Sequence, residues 1–202
     1  MGENERYSQP VWARSWRRCV RERSERRTLK ALRQGRREAY LDVIEAHYPS
    51  VYRFLLFLGG DAHLAEDLTQ EVFASAWRSL SRFRGDSSIR TWLHRIAYHA
   101  FLDTQRRGER DRALAGALGS SDCGIADDPL AGIVAQESVS QVARALQDLD
   151  LDERTVLLLH YVDGLSYREM AQTLGRPDGT LKWITSRALE RLRSRLAGKV
   201  EP

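Results

Sequence analysis

Residues Leu149–Leu196 read LDLDERTVLLLHYVDGLSYREMAQTLGRPDGTLKWITSRALERLRSRL, and start and stop signals alone bound three helices in them. The first is expected from about Asp152 to Val162, with Asp150 and Glu153 spaced as a capping box and Gly164 allowing a left-handed exit. The second opens on Ser166-Tyr167-Arg168-Glu169, the S-x-x-E spacing that satisfies two orphan backbone N–H groups reciprocally, and stops at Gly175. The third follows the tight turn Gly175-Arg176-Pro177, with Pro177 expected at the first helical position, where the N–H it lacks would have no partner anyway. Leu181, Ile184, Ala188, Leu192 and Leu196 recur every three or four residues and so share one face.

Two short helices, a glycine turn and a longer basic helix make a helix-turn-helix, here read over residues 167–186. With the apolar face turned inward, Thr180, Lys182, Trp183 and Arg187 face outward or sideways near the start of the last helix, and Arg176 lies in the turn before it. That end of a recognition helix is the part that meets base edges in a major groove. The alternative is a helical bundle with an ordinary solvated basic face; the agreement of capping, turn and charge signals favours the reader.

The chain has 202 residues, enough for one or two domains, and a formal charge of +4. That average hides a split: residues 1–37 carry twelve Arg or Lys against four acids, so the remainder is net −4. A DNA-binding argument must therefore rest on local patches. The basic N-terminal block, with Trp12 and Trp16, is expected to be disordered; it is a phosphate- or RNA-touching arm or a dispensable leader, with the leader the simpler reading. Cys19 and Cys123 form no disulfide framework and no C-x-x-C, which points to a reducing, cytoplasmic home. No apolar run approaches the roughly 18 residues of a membrane span, and no secretory signal is apparent. The five histidines are scattered without ligand spacing and no glycine-rich phosphate loop occurs, so no metal, cofactor or catalytic centre is expected.

Upstream, Tyr40, Leu41, Ile44, Tyr48, Val51, Tyr52, Leu55 and Leu56 form a helical stripe, broken but not ended by Pro49 and punctuated by Gly59-Gly60. Asp61 can cap a second helix, in which Leu64, Leu68, Val72, Ala76 and Leu80 repeat at i+4. Asp67, Gln70 and Glu71 then point elsewhere, an acidic patch suited to a basic protein partner. After the loop Arg82–Ser88, with Ser88 as cap, a third helix turns Ile89, Leu93, Ile96, Ala97 and Ala100 inward. Its other face holds Arg90, Trp92, Arg95, Tyr98, His99 and, further on, Arg106 and Arg107. Interleaved cations and flat rings are what a single nucleic-acid strand requires, although Trp92 and Tyr98 also read as core. Residues 108–133 read as a flexible linker, and a helix over about Ile133–Gln147, with Val134, Val139, Val142 and Leu146 on one face, leads into the opening stretch. The fold class is all-α: two small helical domains, 38–107 and 134–197, on a tether, the second a winged-helix-like bundle of three to four helices without a sheet.

The residues AEDLTQEVF at 65–73, AW at 76–77, RFRG at 82–85, R-T-W-L-x-R-I-A at 90–97 and Asp103 resemble the first conserved domain of the extracytoplasmic-function (ECF) class of bacterial RNA polymerase sigma factors. LSYREMAQTLGRPDGTLK at 165–182 is similar to their second. A lone helix-turn-helix is weak evidence, but two independent blocks in the right order and spacing are strong. The resemblance implies that Asp67, Gln70 and Glu71 dock on the clamp helices of the polymerase largest subunit. It implies that Trp92, Arg95, His99 and Arg106, with the loop at 83–88, separate the −10 element and capture an extruded base. It gives the −35 element to helix 177–194, with Arg176, Thr180, Lys182, Trp183 and Arg187, and adds the flap of the second-largest subunit and an anti-sigma protein as partners. The linker, with Asp122, Asp127 and Asp128, is similar to the segment that threads toward the polymerase active site.

Two departures from the family pattern stand out. Many members have Asn where this chain has His99, which changes the reach of a base contact. After Gly179-Thr180-Leu181-Lys182 the family continues Ser-Arg-Leu, whereas this chain has Trp183-Ile184-Thr185. The missing Arg removes a possible bidentate guanine contact, roughly 1–3 kcal/mol of discrimination; Trp183 either touches a thymine methyl or packs against the domain. The rival functional readings are a free-standing regulator that binds operator DNA without polymerase and, more remotely, a nuclease or nucleotidyl transferase, for which no carboxylate cluster is evident.

Overall fold

A computed structural model of the chain describes residues 28–32, 34, 36–115 and 137–197. Helix α1 (Arg37–Gly59) runs through Pro49 without stopping. An interior proline removes one hydrogen bond and crowds the preceding turn, but Tyr40 and Val43 before it and Val51, Phe54, Leu55, Leu56 and Leu58 after it are all buried, and that packing carries the helix through. Gly60, at φ 74°, closes the helix with its N–H on Leu56 O at 2.7 Å. Asp61 then caps α2 (Ala62–Ser79), its carboxylate accepting the Leu64 N–H at 3.0 Å. Leu68, Val72, Ala76 and Leu80 of the expected stripe are buried.

A single 3-10 turn, Leu80–Arg82, leads to the loop and to α3 (Ile89–Ala115), where Ser88 Oγ accepts the Thr91 N–H at 3.0 Å. Helix α3 runs well past residue 107, where a linker was expected to begin. Residues 108–115 read GERDRALA, with no large apolar stripe to suggest a buried helix; Glu109, Arg110, Arg112, Ala113, Leu114 and Ala115 are nonetheless good helix formers, and propensity carries the helix on. The rest of the expected linker, with Asp122, Asp127 and Asp128, lies outside the described residues. The expectation of disorder over residues 1–37 also needs correcting at its end, because residues 28–32 are helical and Leu32 is buried in the core. Residues 1–27 lie outside the described set.

The second unit contains α4 (Glu137–Gln147), α5 (Leu151–Leu157), α6 (Tyr167–Leu174) and α7 (Asp178–Ala197). No strand occurs among the described residues. Val142 was expected to face inward but is exposed, and Ala143, Ala145 and Leu146 are buried instead. The buried face of α4 is thus set by small residues that permit close approach, which a search for large apolar side chains misses. The first helix of the opening stretch changes to a π-helical turn, Leu158–Val162, before Asp163. The capping box expected at Asp150 and Glu153 does not form, since Asp150 makes no side-chain cap bond. Both acids face the arginines of α7, and a carboxylate gains more from a guanidinium than from a neutral backbone N–H. The box at Ser166 and Glu169 does form, and Gly175 exits α6 at φ 67°. Pro177 sits one position earlier than expected: its carbonyl accepts the first helical N–H, from Leu181, at 3.1 Å.

The two units are docked. Their buried side chains form one continuous apolar cluster, with α3 against α6 and α1 against α4 and α5. Arg154 is central to this seam. Its guanidinium donates to Leu58 O (2.6 Å) at the end of α1 and to Leu146 O (2.9 Å) and Gln147 O (2.7 Å) at the end of α4. Helix C-termini carry unpaired carbonyls and partial negative charge, so one cation satisfies two of them together. Gln147 extends the contact by donating to Phe57 O at 2.7 Å.

Candidate nucleic-acid interface

Because Leu68, Val72 and Ala76 turn inward, Asp67, Gln70 and Glu71 are left exposed along the opposite side of α2. Helix α3 packs beside it, and between the two lies an open groove of about 390 Å³. Glu71 and Ser75 line one wall and Trp92, Arg95, His99 and Asp103 the other. The groove therefore brings Glu71, expected at a protein interface, together with three residues expected at DNA. Arg106 is exposed beyond the groove and pairs with Asp103 at 3.4 Å, a surface contact that competes weakly with any ligand.

Both open readings of Trp92 are partly right. The ring is half-buried and stacks on Phe83, centroids 4.5 Å apart and planes at 22°, while it also lines the groove. Tyr98, expected on the same outer face, is buried, and burial pushes its phenol above the usual range. Helix periodicity explains the difference, since position 98 follows 94 and 91 toward the second unit while 92, 95, 96 and 99 follow the groove. Chemically the groove offers an aromatic ring, an imidazole and a guanidinium beside two carboxylates. That set can stack on and hydrogen-bond an unpaired base.

On α7, Thr180, Lys182, Trp183 and Arg187 are all exposed, with Trp183 60 % accessible. Lys182 Nζ sits 5.8 Å from the Tyr167 ring centre, and the Arg187 guanidinium 5.4 Å from that of Trp183. Arg187 is also held from beneath, with Nε 3.1 Å from an oxygen of Glu153, whose side chain is only 4 % exposed. Arg191 binds the other oxygen at 2.6 Å and Asp150 at 2.8 Å. Arg176 pairs with Asp152 at 2.8 Å. Among the five residues expected at the −35 element, then, Arg176 and Arg187 also hold their own unit together. Thr180, Lys182 and Trp183 project without an acidic partner among the described residues. The Glu153 cluster escaped sequence reasoning, although acids at 150 and 153 opposite arginines at 187 and 191 are spaced to meet across two helices.

Among the described residues no group of three potential ligands could hold a metal ion, and no helix is long and apolar enough to cross a membrane.

Comparison with known proteins matches the Sigma-70 region 2 family over residues 43–111 and the Sigma-70, region 4 family over residues 140–192. ECF RNA polymerase sigma factor SigW of Bacillus subtilis is 30 % identical over 179 residues, covering 85 % of this chain and 96 % of its own length. ECF RNA polymerase sigma factor SigC of Mycobacterium tuberculosis is 36 % identical over 160 residues, covering 79 % and 84 %. Among solved structures, the sigma factor RpoE in complex with the anti-sigma factor NepR from Bartonella quintana superposes with a TM-score of 0.67 at 25 % identity, covering 81 % of this chain and 98 % of that one. CnrH, solved with the cytosolic domain of CnrY, shares the fold at 22 % identity and the same TM-score. With both conserved regions present in order, on the expected helices, and with nearly the whole of SigW spanned, the chain belongs to the ECF family of RNA polymerase sigma factors.

Proposed function

We propose that this sigma factor joins core RNA polymerase through Asp67, Gln70 and Glu71 on α2 and holds an unpaired base of the −10 element in the groove lined by Trp92, Arg95 and His99. In this reading Arg106 steadies the adjoining backbone, while Thr180, Lys182 and Trp183 at the start of α7 read the −35 duplex, with Arg176 and Arg187 flanking them. The observation that carries the reading is the placement of an exposed acidic row on α2 immediately beside a cationic and aromatic groove on α3. A protein partner and a DNA strand can engage adjoining surfaces there, meeting at Glu71 on the edge of the groove. The chain acts by binding, in the cytoplasm beside the polymerase, with no reaction chemistry of its own. The Bartonella quintana neighbour was solved with an anti-sigma factor, and a protein of that kind is proposed as the regulator of this chain, responding to an envelope or environmental signal.

Co-purification with sigma-free core polymerase tests the assignment. Asp67→Arg and Glu71→Arg each reverse a charge without touching the core, so recovery with polymerase should fall tenfold or more while binding of a −35 duplex is unchanged. Normal recovery of both variants would remove α2 from the polymerase interface.

A further inference from the structure

Trp183 lies in the second turn of α7 and, at 60 % exposure, is the most accessible large apolar side chain among the described residues. The sequence left two places for its ring, against the domain or against DNA. The inward positions around it are filled by Leu181, Ile184 and Ala188, so packing against the domain is not what holds it. Four residues earlier on the same face stands Gly179, and no heavy atom lies within 4 Å of where a Cβ would be. Thr180 beside it is exposed. The approach to the ring from the start of the helix is therefore open, and that is the end of a recognition helix that enters a major groove.

One face of the ring is already taken. The Arg187 guanidinium lies over it, 5.4 Å from its centre. The same guanidinium pairs with the nearly buried Glu153 at 3.1 Å and stands 3.9 Å from Asp150. Turning Arg187 away to grip a guanine would leave that enclosed carboxylate with Arg191 alone, and a buried charge resists losing a partner. Arg187 is thus committed to its own unit and to the indole. What the pair presents to a groove is a flat apolar ring in a fixed orientation. Among the base edges of a major groove, thymine is marked by an apolar group, its 5-methyl. The cations on both sides of the ring, Lys182 and Arg187, suit a phosphate-lined duplex better than a protein surface.

We propose that Trp183 is a specificity-determining residue that recognises a thymine of duplex DNA through its 5-methyl group. Arg187 is its positioning residue, tying the indole to the Glu153 carboxylate. The proposal rests on the assignment of α7 to the −35 duplex made above. It exchanges one kind of base reading for another: a hydrophobic contact that selects thymine stands where a free arginine would select guanine.

The test uses the full chain bound to core polymerase and a duplex that this complex selects from a random pool. Each thymine of the selected duplex is replaced in turn by uracil, which removes the methyl group and leaves the hydrogen-bonding edges as they were. With the parent chain one replacement should weaken binding about fourfold, the effect of one buried methyl group. Trp183→Ala should bind the thymine and uracil forms of that duplex alike, and Trp183→Phe should keep part of the preference. Arg187→Ala should lower the preference although the indole is still present. Arg187→Lys, which keeps a cation for both Glu153 and the ring, should bring it back; a preference indifferent to position 187 would overturn the positioning role. A uracil penalty equal in the parent and Trp183→Ala, or absent at every thymine, would overturn the recognition of thymine while leaving α7 as a −35 reader. Selection of no duplex at all would remove that reader, and the proposal with it.

Discussion

The two helical units bury an ionisable side chain in opposite ways. In the first unit His47 is half-buried near His94 and Arg90; burial, reinforced by those two groups, lowers its pKa to about 4, so it is held neutral. In the second unit Glu153 is more deeply enclosed, 3 % exposed, and gripped by Arg187 and Arg191 of α7. The first solution leaves the outer face of α3 to a ligand, with Arg95 and His99 at the groove. The second uses cations of α7, the helix proposed to read the −35 element, to hold that helix in place. A basic residue on a recognition helix is therefore not by that fact a DNA contact, and the two units should answer differently to removal of charge.

The largest expected effect breaks the second arrangement. Arg187→Ala combined with Arg191→Ala strands a buried carboxylate, and a buried charge left without its partners is strongly destabilising. Thermal or urea unfolding should show the loss, and Glu153→Gln added to the double variant should restore part of it. A footprint lost only through this unfolding would mean that Arg187 serves stability rather than base reading.

The first arrangement is tested by pH. With a folded pKa near 4 against 6.5 unfolded, the unfolded chain binds the proton more readily between those values. The His47 contribution is therefore intact above about pH 6.5 and is lost as pH falls toward 4, by an amount of order 2 kcal/mol. His47→Phe should flatten the stability profile across that window; an unchanged slope would show that His47 is not the buried base responsible.

The smallest effect sharpens the contrast on α7 itself. Lys182 lacks an ion pair among the described residues, so Lys182→Ala should leave unfolding unchanged. It should weaken −35 binding a few-fold and lower the salt slope by about one charge. A variant that loses stability but keeps its salt slope would place Lys182 with Arg187 as a structural residue.

What the chain declares locally was legible in advance. Asp61, Ser88 and Ser166 cap helices where their spacing says they should, because a cap depends on three or four consecutive residues. Gly60 and Gly175 end helices at positive φ for the same reason. Asp150 failed as a cap because its better partner, Arg191, lies 41 residues away in sequence. Tyr98 follows its core reading rather than the outer-face one, and Val142 was assigned to the wrong face, because each helix packs against two neighbours, one of them the other unit. The seam residues Arg154, and Asp163 with His94 3.1 Å from it, carried no motif at all: their roles exist only once the units meet, and no periodicity within one helix encodes that. The recognition surfaces, by contrast, were readable as far as exposure goes, since a side chain opposite a strict apolar stripe has nowhere else to point.

The claim at the centre of this account is that one chain divides promoter recognition between two helical units and delivers it to polymerase. Run-off transcription with purified sigma-free core enzyme tests it most directly, on templates carrying both elements, either one alone, or neither. The account predicts a defined transcript from the two-element template, a weak one when either element is missing and none from the bare template. No transcript from any native promoter, despite intact binding of the chain to −35 duplex, would contradict it.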